Sequence, residues 1–592
     1  MTEFFEVHER DGAARIGELR LPESVRTPAL AVDRSVSDPG AGDVPLVDSG
    51  SLWRADRETE ADADSLTVLP HRGFPAGTAE EVEDAFQPEY PETEYPSAAV
   101  VSQRSADDYG ADAYVLAGAQ GFVGHASAFR EAIIETRESI PSDAALYVPG
   151  VATPANVALL VYAGVDIVDA DAAVVEGTRG RYLTTDGDRH IDRLEELPCA
   201  CPACRGGIEN FDREDAAEHN EHALRAELAR VRTRIRDGRL RDYLESQVRV
   251  EPWLTAGLRE FDQQWGYIES HTPIQRNSLL AATTEDALRR PEIQRFADRV
   301  CTRYESRFDD LPLLLVPCSA RKPYSESKSH SEFQEAARYR GHLVSITSPI
   351  GAVPRELELT YPAQHYDSAV TGRWSESEIE FVATVLERYL DANDYPRIVA
   401  HVPEDYEPIV ERATAGFDGP VEFTVEDHPT DEDSLSNLAA AVEGERQIRV
   451  SERERNTLRA VADWQFGAGA GDALFDDFEL RGRYPKNKAF IDDEQIAALV
   501  PNYGTLSFTI AGARHWVESD APTKRVEIDG FVPHGSVLAP GITDADPSIR
   551  VGDEVIIEGP KAFGVGRAEM NGAEMLDSTR GIACTPRHVV EK

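Results

Sequence analysis

Between residues 97 and 183, short apolar runs alternate with helix-periodic segments. AYVLAG precedes HASAFREAIIETRESI, ALYVPG precedes PANVALLVYAG, and VDIVDA follows. Joining parallel strands takes a crossover of a dozen residues or more, usually a helix, so this alternation predicts parallel βα units. A second α/β unit begins at LPLLLVPCSARKPYS (311–325) and continues through HLVSITSPIG and YPRIVAHVPED. At 592 residues the chain exceeds what one hydrophobic core covers, and several domains are expected. Their boundaries are set at 1–250, 251–447, 448–521 and 522–592.

Smaller features fill in this outline. Residues 1–36 carry the strand-like stretches FFEVHE, ARIGELRL and PALAVD, and the acidic, Pro-rich residues 54–96 read as a loop insertion. Residues 213–248 are helical by pattern. The acidic stretch 425–447 marks a boundary, and a helix starting near Ser451 opens a small α+β segment. The last 70 residues are short strands separated by Gly, Pro and Asp, which predicts a small β-barrel. Gly467-Ala468-Gly469-Ala470-Gly471-Asp472 imitates a dinucleotide loop, but a helical pattern precedes it where a strand is required.

Charge narrows the choice of partner. The net charge is −46, and of 61 Lys+Arg residues only seven are Lys. Such a surface fits a cytoplasm of molar salt, where the Debye length is about 3 Å and like charges barely repel. Nucleic-acid binders are ordinarily basic. Here RNA recognition would rest on shape, stacking and hydrogen bonds, because counterion release contributes little at high salt. The N-terminus has neither a basic nor an apolar signal region, and no apolar run reaches the roughly 20 residues of a membrane span, so a cytoplasmic protein is expected.

Three groups of residues carry chemistry. Cys199, Cys201 and Cys204 are followed by His219 and His222. Three thiolates and one imidazole make a closed tetrahedral Zn2+ site of the structural kind, with the two histidines competing for the fourth place. Asp48 (in Asp48-Ser49-Gly50) and Asp169 (in Val165-Asp166-Ile167-Val168-Asp169) fall where βα loops begin, a usual catalytic position in a barrel. As isolated residues they read first as ordinary caps or turns.

The third group is the richest. Pro317, Cys318, Arg321, Lys322, Pro323, Tyr324, Ser327 and His330 follow the buried-strand pattern LPLLLV directly, and two of the seven Lys lie in this stretch. A loop after a parallel strand is where α/β folds place ligands, and neighbouring cations favour a thiolate. Farther on, Arg355, Glu356, Tyr361, Asp367 and the Thr371-Gly372-Arg373-Trp374 run interleave aromatic and charged side chains, which suits stacking on a base and hydrogen-bonding its edge.

These motifs carry resemblances. Residues 1–250 resemble archaeal tRNA-guanine transglycosylase through RIGELRLPESVRTPAL, DSGS at 48–51, GVDIVDA, RYLTTDG and the Cys cluster with its HN pair. That resemblance implies a TIM-barrel-like domain, His219 as fourth zinc ligand, and Asp48 and Asp169 as acid/base and nucleophile. The stretch around Asp48 is compressed, so a partly degenerate barrel is expected. Residues 311–374 resemble the archaeosine synthase family, whose signature PC-x3-KPY-x2-S-x2-H is complete here. The end of the chain, with GSVLAPGI, IRVGDEVII and GVGRAEM, is similar to a PUA domain.

The implied architecture is multidomain α/β. A transglycosylase-type domain with a zinc site leads into a central α/β catalytic domain, a small α+β domain and a PUA β-barrel. The implied activity is conversion of 7-cyano-7-deazaguanine in the D-loop of tRNA by adding an amine across the nitrile, with glutamine, ammonia or lysine as donor. Cys318, Lys322, Tyr324, Ser327 and His330 would act in catalysis, and Pro317, Arg321, Pro323, Arg355, Glu356, Tyr361 and Asp367 would bind substrate. A transglycosylase using Asp48 and Asp169 and a non-catalytic tRNA-binding subunit are the rival readings. A partner enzyme and a homodimer stay open.

Overall fold

The computed structural model describes residues 3–52, 63–74, 78–86, 88–91, 93–370 and 372–592. Part of the insertion at 54–96 and Thr371 lie outside the described residues. Two compact units are present: one holds residues 1–272 with 538–540 and 573–583, and the other holds the rest.

In the first unit a three-stranded antiparallel sheet (Phe5–Asp11, Ala14–Leu19, Val25–Arg26) leads into a closed barrel of seven strands. These are Ala29–Asp33, Val44–Asp48, Leu66–Val68, Ser97–Val101, Ala113–Leu116, Ala145–Val148 and Ile167–Val168, all paired in parallel. A TIM barrel has eight. Leu66–Val68 corrects the reading of 54–96 as a loop throughout. The strand is fully buried but only three residues long, too short for any periodicity to show.

Closure of the barrel is fixed by charge as well as by ladder. Arg15 is buried and donates from Nε and Nη2 to Asp166 at 2.8 and 2.7 Å, and it also reaches the carbonyls of Ser142 and Ala144. The Asp166 carboxylate accepts the Leu146 N–H at 2.8 Å as well. One ion pair therefore joins the last two barrel strands to the N-terminal sheet. The 24-residue helix Arg213–Arg236 starts at a capping box formed by Asp212 and Asp215. Helix Pro252–Asp262 buries Leu254, Leu258 and Phe261 in the same core.

The second unit is built on a five-stranded sheet in the order Gly351–Pro354, His342–Thr347, Leu313–Pro317, Ile398–Ala400, Val421–Phe423. All neighbours are parallel except the first pair. Leu313–Pro317 is central and buried on both faces. Leu314 and Val316 pack with Phe333, Leu438 and Val442, while Leu313 and Leu315 pack with Phe296, Val382 and Leu386. Helix Lys328–Ala337 carries the chain to one neighbour of this strand, and helix Glu376–Ala392 precedes its return to the other. The crossovers diverge above Pro317, which makes that strand end a topological switch point.

Beyond this, helix Val450–Phe466, four antiparallel strands from Glu479 to Phe508, and helix Ile510–Glu518 form an α+β arrangement. Of the Gly467–Asp472 run, residues 467–469 link two helices and 470–472 open the second, Ala470–Leu474. The C-terminal segment, expected as a small β-barrel, forms a six-stranded sheet. Spacing of turn residues reports the short strands but not whether the outermost two meet.

Replacing Asp166 by Ala leaves the Arg15 guanidinium buried without its counter-charge, which costs about 3–5 kcal/mol. Denaturant unfolding of Asp166→Ala is expected to show that loss, and a midpoint equal to the parent's would contradict the role given to the pair.

Candidate functional site

Three places bring the chemically active residues together. The first lies beside the hairpin Arg181–Thr184/Gly187–His190, where the side-chain donors of Cys199, Cys201, Cys204 and His219 all lie within 4.8 Å of one another. His219 Nε2 donates to the Leu183 carbonyl at 3.0 Å, which turns Nδ1 towards Cys201 and Cys204, at 3.5 and 3.4 Å. Tyr182 stacks on the imidazole with ring centroids 3.8 Å apart. Asn220 fixes the hairpin by accepting from Leu183 N–H and donating to the Ala173 and Arg181 carbonyls. His222 points away, 3.4 Å from Glu218, so the competition for the fourth place is resolved in favour of His219. Burial pushes the Cys204 thiol up to about 12, with Cys201 and Cys199 adding to the effect, a situation that a bound cation reverses. Four soft and borderline donors converging around one oriented imidazole could hold a metal ion.

The second place is the C-terminal end of the barrel. Asp48 is exposed at its strand end, accepts the Gly50 N–H at 2.7 Å and lies 3.9 Å from His71. Asp169 is buried, and both its oxygens are occupied. Tyr147 OH (2.9 Å) and Gly150 N–H (2.8 Å) donate to Oδ2, and Asp171 N–H (3.1 Å) donates to Oδ1. Burial, with Asp171 nearby, leaves its carboxyl above the ordinary range in spite of those donors.

The third place is the switch point of the second unit. Cys318 continues the central strand, its N–H donating to the Ile346 carbonyl at 3.2 Å, so the thiol is carried by the sheet itself. From the turn Glu404–Tyr406, which follows the adjacent strand Ile398–Ala400, Tyr406 places its hydroxyl 3.8 Å from Cys318 Sγ. Trp374 meets the Tyr406 ring edge-on at 4.7 Å. Lys322 lays its ammonium over the Tyr366 ring, 3.9 Å from the centroid. Burial lowers the Lys322 pKa, opposed by the charges of Cys318 and Asp367. Beneath it the Tyr324, Tyr366 and Thr347 hydroxyls form a chain with both links at 2.6 Å.

The remaining signature residues shape this loop from below. Ser327 caps helix Lys328–Ala337 by accepting the His330 N–H. His330 is buried and donates from Nε2 to the Pro317 carbonyl at 3.0 Å, and burial pushes it down to about 4. It is therefore a neutral strut. Ser325 binds Glu358 through its N–H (2.9 Å) and hydroxyl (2.6 Å), and Glu358 also receives Tyr484 OH (2.6 Å) and Arg355. Pro323 leads into the short turn Tyr324–Glu326.

Other expected binding residues are placed differently. Arg321 is exposed and spends its charge on Glu326 at 3.0 Å, away from the thiol. Glu356 belongs to a buried cluster: it accepts from His342 at 3.0 Å, and Tyr304 and Tyr395 complete the group. Burial raises the Glu356 carboxyl, but His342 and Arg355 outweigh it and hold the pKa below the ordinary value. Tyr361 is buried, with its ring tilted on His365. Asp367 is exposed on the short strand Tyr366–Ser368, near Lys322. Tyr406, Thr347, Glu358 and Tyr484 were not singled out from the sequence. Tyr406 had a signal, since HVPEDY follows the buried run IVA just as PCSARKPY follows LPLLLV.

Comparisons with known proteins follow this division. Family models match residues 92–252 (queuine tRNA-ribosyltransferase), 293–442 (a domain of unknown function), 456–522 (patch-forming domain C2 of tRNA-guanine transglycosylase) and 527–590 (PUA domain). The archaeosine synthase of Haloferax volcanii is 59% identical over the full length of both chains. The archaeosine synthase subunit alpha of Methanosarcina acetivorans is 42% identical, again over the full length of both. A tRNA-guanine(15) transglycosylase of Methanothermobacter thermautotrophicus is 28% identical over 77% of this chain and 68% of its own. On the strength of the two full-length relatives, this chain belongs to the archaeosine synthase family.

Proposed function

We propose that the protein adds an amine across the nitrile of 7-cyano-7-deazaguanine in tRNA, giving the formamidine of archaeosine or an amino-acid adduct on the way to it. The observation that carries this reading is the complete PC-x3-KPY-x2-S-x2-H signature folded onto the switch-point end of the central strand, with Tyr406 beside Cys318 and Tyr366 under Lys322. A nitrile carbon needs a nucleophile, and its nitrogen needs a proton. In this reading the Cys318 thiolate attacks and forms a thioimidate, which the amine then displaces. Lys322 supplies positive charge beside the thiol. Ser327 and His330 act as positioning residues, because their polar atoms are committed to the helix cap and to the Pro317 carbonyl. The C-terminal module and the barrel are assigned to holding the tRNA.

The transglycosylase alternative is supported by Asp48 and Asp169 sharing one end of the barrel, and by the Methanothermobacter relative. The hydrogen bonds on both oxygens of Asp169 count against it, since an attacking oxygen would have to share or give up the lone pairs they engage.

The metal cluster is assigned to structural Zn2+, held by Cys199, Cys201, Cys204 and His219, with no open position for chemistry. Because binding to such sites is largely folding free energy, Cys201→Ser should lower metal content and the unfolding midpoint together. A metal-free protein of normal stability would remove the assignment.

Nitrile-bearing tRNA incubated with glutamine, ammonium or lysine, followed by nucleoside mass spectrometry, should reveal an amidine or adduct with one of the three. Cys318→Ala and Cys318→Ser should both lose product while tRNA affinity is kept, because a serine hydroxyl is a far poorer nucleophile than a thiolate at neutral pH. Amidine formation at the parent rate by Cys318→Ala would overturn the covalent route.

A further inference from the structure

We propose that Tyr406 is a second catalytic residue, delivering a proton to the nitrile nitrogen from across the crevice as Cys318 attacks the carbon; this rests on the covalent reading above. The two residues follow adjacent parallel strands: Cys318 comes directly after Leu313–Pro317, and Tyr406 lies in the turn Glu404–Tyr406 beyond Ile398–Ala400. Tyr406 Oη lies 3.8 Å from Cys318 Sγ. Sulfur and nitrogen of a thioimidate share one carbon, so a hydroxyl at that distance from the sulfur comes within hydrogen-bond reach of the nitrogen when the C=N bond points towards Tyr406. Trp374 packs edge-on against the ring and fixes its direction.

The neighbouring candidates are otherwise engaged. His330 gives its Nε2 hydrogen to the Pro317 carbonyl. Tyr324 and Tyr366 are buried and share their hydroxyl hydrogens with each other and with Thr347. Lys322 rests on the face of the Tyr366 ring.

The step balances. The sulfur lone pair forms the C–S bond and one C≡N π bond breaks. Its electron pair takes the hydrogen from Tyr406 Oη, leaving a thioimidate and a phenolate. The amine then adds to the same carbon and surrenders a proton to that phenolate. The C–S bond breaks, and the thiolate and the neutral phenol are restored beside the amidine.

Electrostatics favours this order of events. Burial first, and then the negative charge of Cys318 when it is ionised, push the Tyr406 phenol far up, so it keeps its proton beside a thiolate. Formation of the C–S bond removes that negative charge from beside the ring, and the phenol becomes a better acid at the moment the nitrogen needs a proton.

The test uses the full-length protein and tRNA carrying 7-cyano-7-deazaguanine, with no amine present, and follows the covalent protein–tRNA adduct in a single turnover. Alkylation of Cys318 by iodoacetamide is measured in parallel. Phe keeps the ring that Trp374 packs on, and Tyr406→Phe is expected to slow adduct formation by about 100-fold, the usual size of a lost general acid, with far less effect on alkylation. Tyr406→Gln, which restores a weak donor without the ring, should fall between the two if it folds. Adduct formation by Tyr406→Phe within about threefold of the parent overturns the inference, as does a loss matched by an equal loss of alkylation, which would make Tyr406 only a tuner of the thiol. Product formation by Cys318→Ala would overturn the covalent reading and this inference with it. An inert Cys318→Ala beside a normal Tyr406→Phe removes only the inference.

Discussion

Glu358 is 2% exposed and accepts from a backbone N–H, a serine hydroxyl, a tyrosine hydroxyl and a guanidinium, contributed by Ser325, Tyr484 and Arg355. A carboxylate buried this deeply is tolerated only when its lone pairs are filled. Filling them draws three distant stretches of chain to one point. Ser325 belongs to the signature loop, Arg355 follows the antiparallel edge strand, and Tyr484 comes from the α+β segment that leads to the C-terminal sheet. The loop bearing Cys318 and Lys322 is thus held by a network that closes only when the second unit is folded. The same constraint explains a division of labour in the signature. Ser327 and His330 hold the loop's start and end from inside, which frees Cys318 and Lys322 to face the crevice.

Much of the fold was legible because its signals are local. The strands LPLLLV, HLVSIT and RIVA announce themselves by short, mainly apolar runs, and the helices between them by their period, so the parallel central sheet followed directly. The metal cluster was legible for a similar reason, three thiols within six residues having few other uses in a chain with no disulfide pattern. Leu66–Val68 was hidden because a strand of three residues has no periodicity and sits in an acidic, Pro-rich stretch.

The candidate site was legible only on its sequence-contiguous side. Cys318 and Lys322 stood out within one loop, but Tyr406 and Tyr484 are separated from Cys318 by 88 residues and more, and only folding brings them near. Charge shows what a sequence leaves out. Arg321 and Glu356 looked like substrate ligands because they are ionic and lie beside the motif. Each is satisfied by a partner that composition could not reveal: Glu326 on the surface for Arg321 and His342 in the core for Glu356.

The bonds of Asp169 also have a mechanical side. Tyr147 and Gly150 belong to the strand end preceding Asp169 and to the turn after it, so one carboxylate laces together the rims of two neighbouring staves. Gly150 sits at φ +67, a left-handed backbone conformation that glycine adopts without strain, so the lacing point favours glycine. Two staves tied in this way move as one piece and not as independent flaps. Whatever docks on these two strand ends meets a pair whose relative position is set in advance, and it must conform to them where untied ends would have yielded.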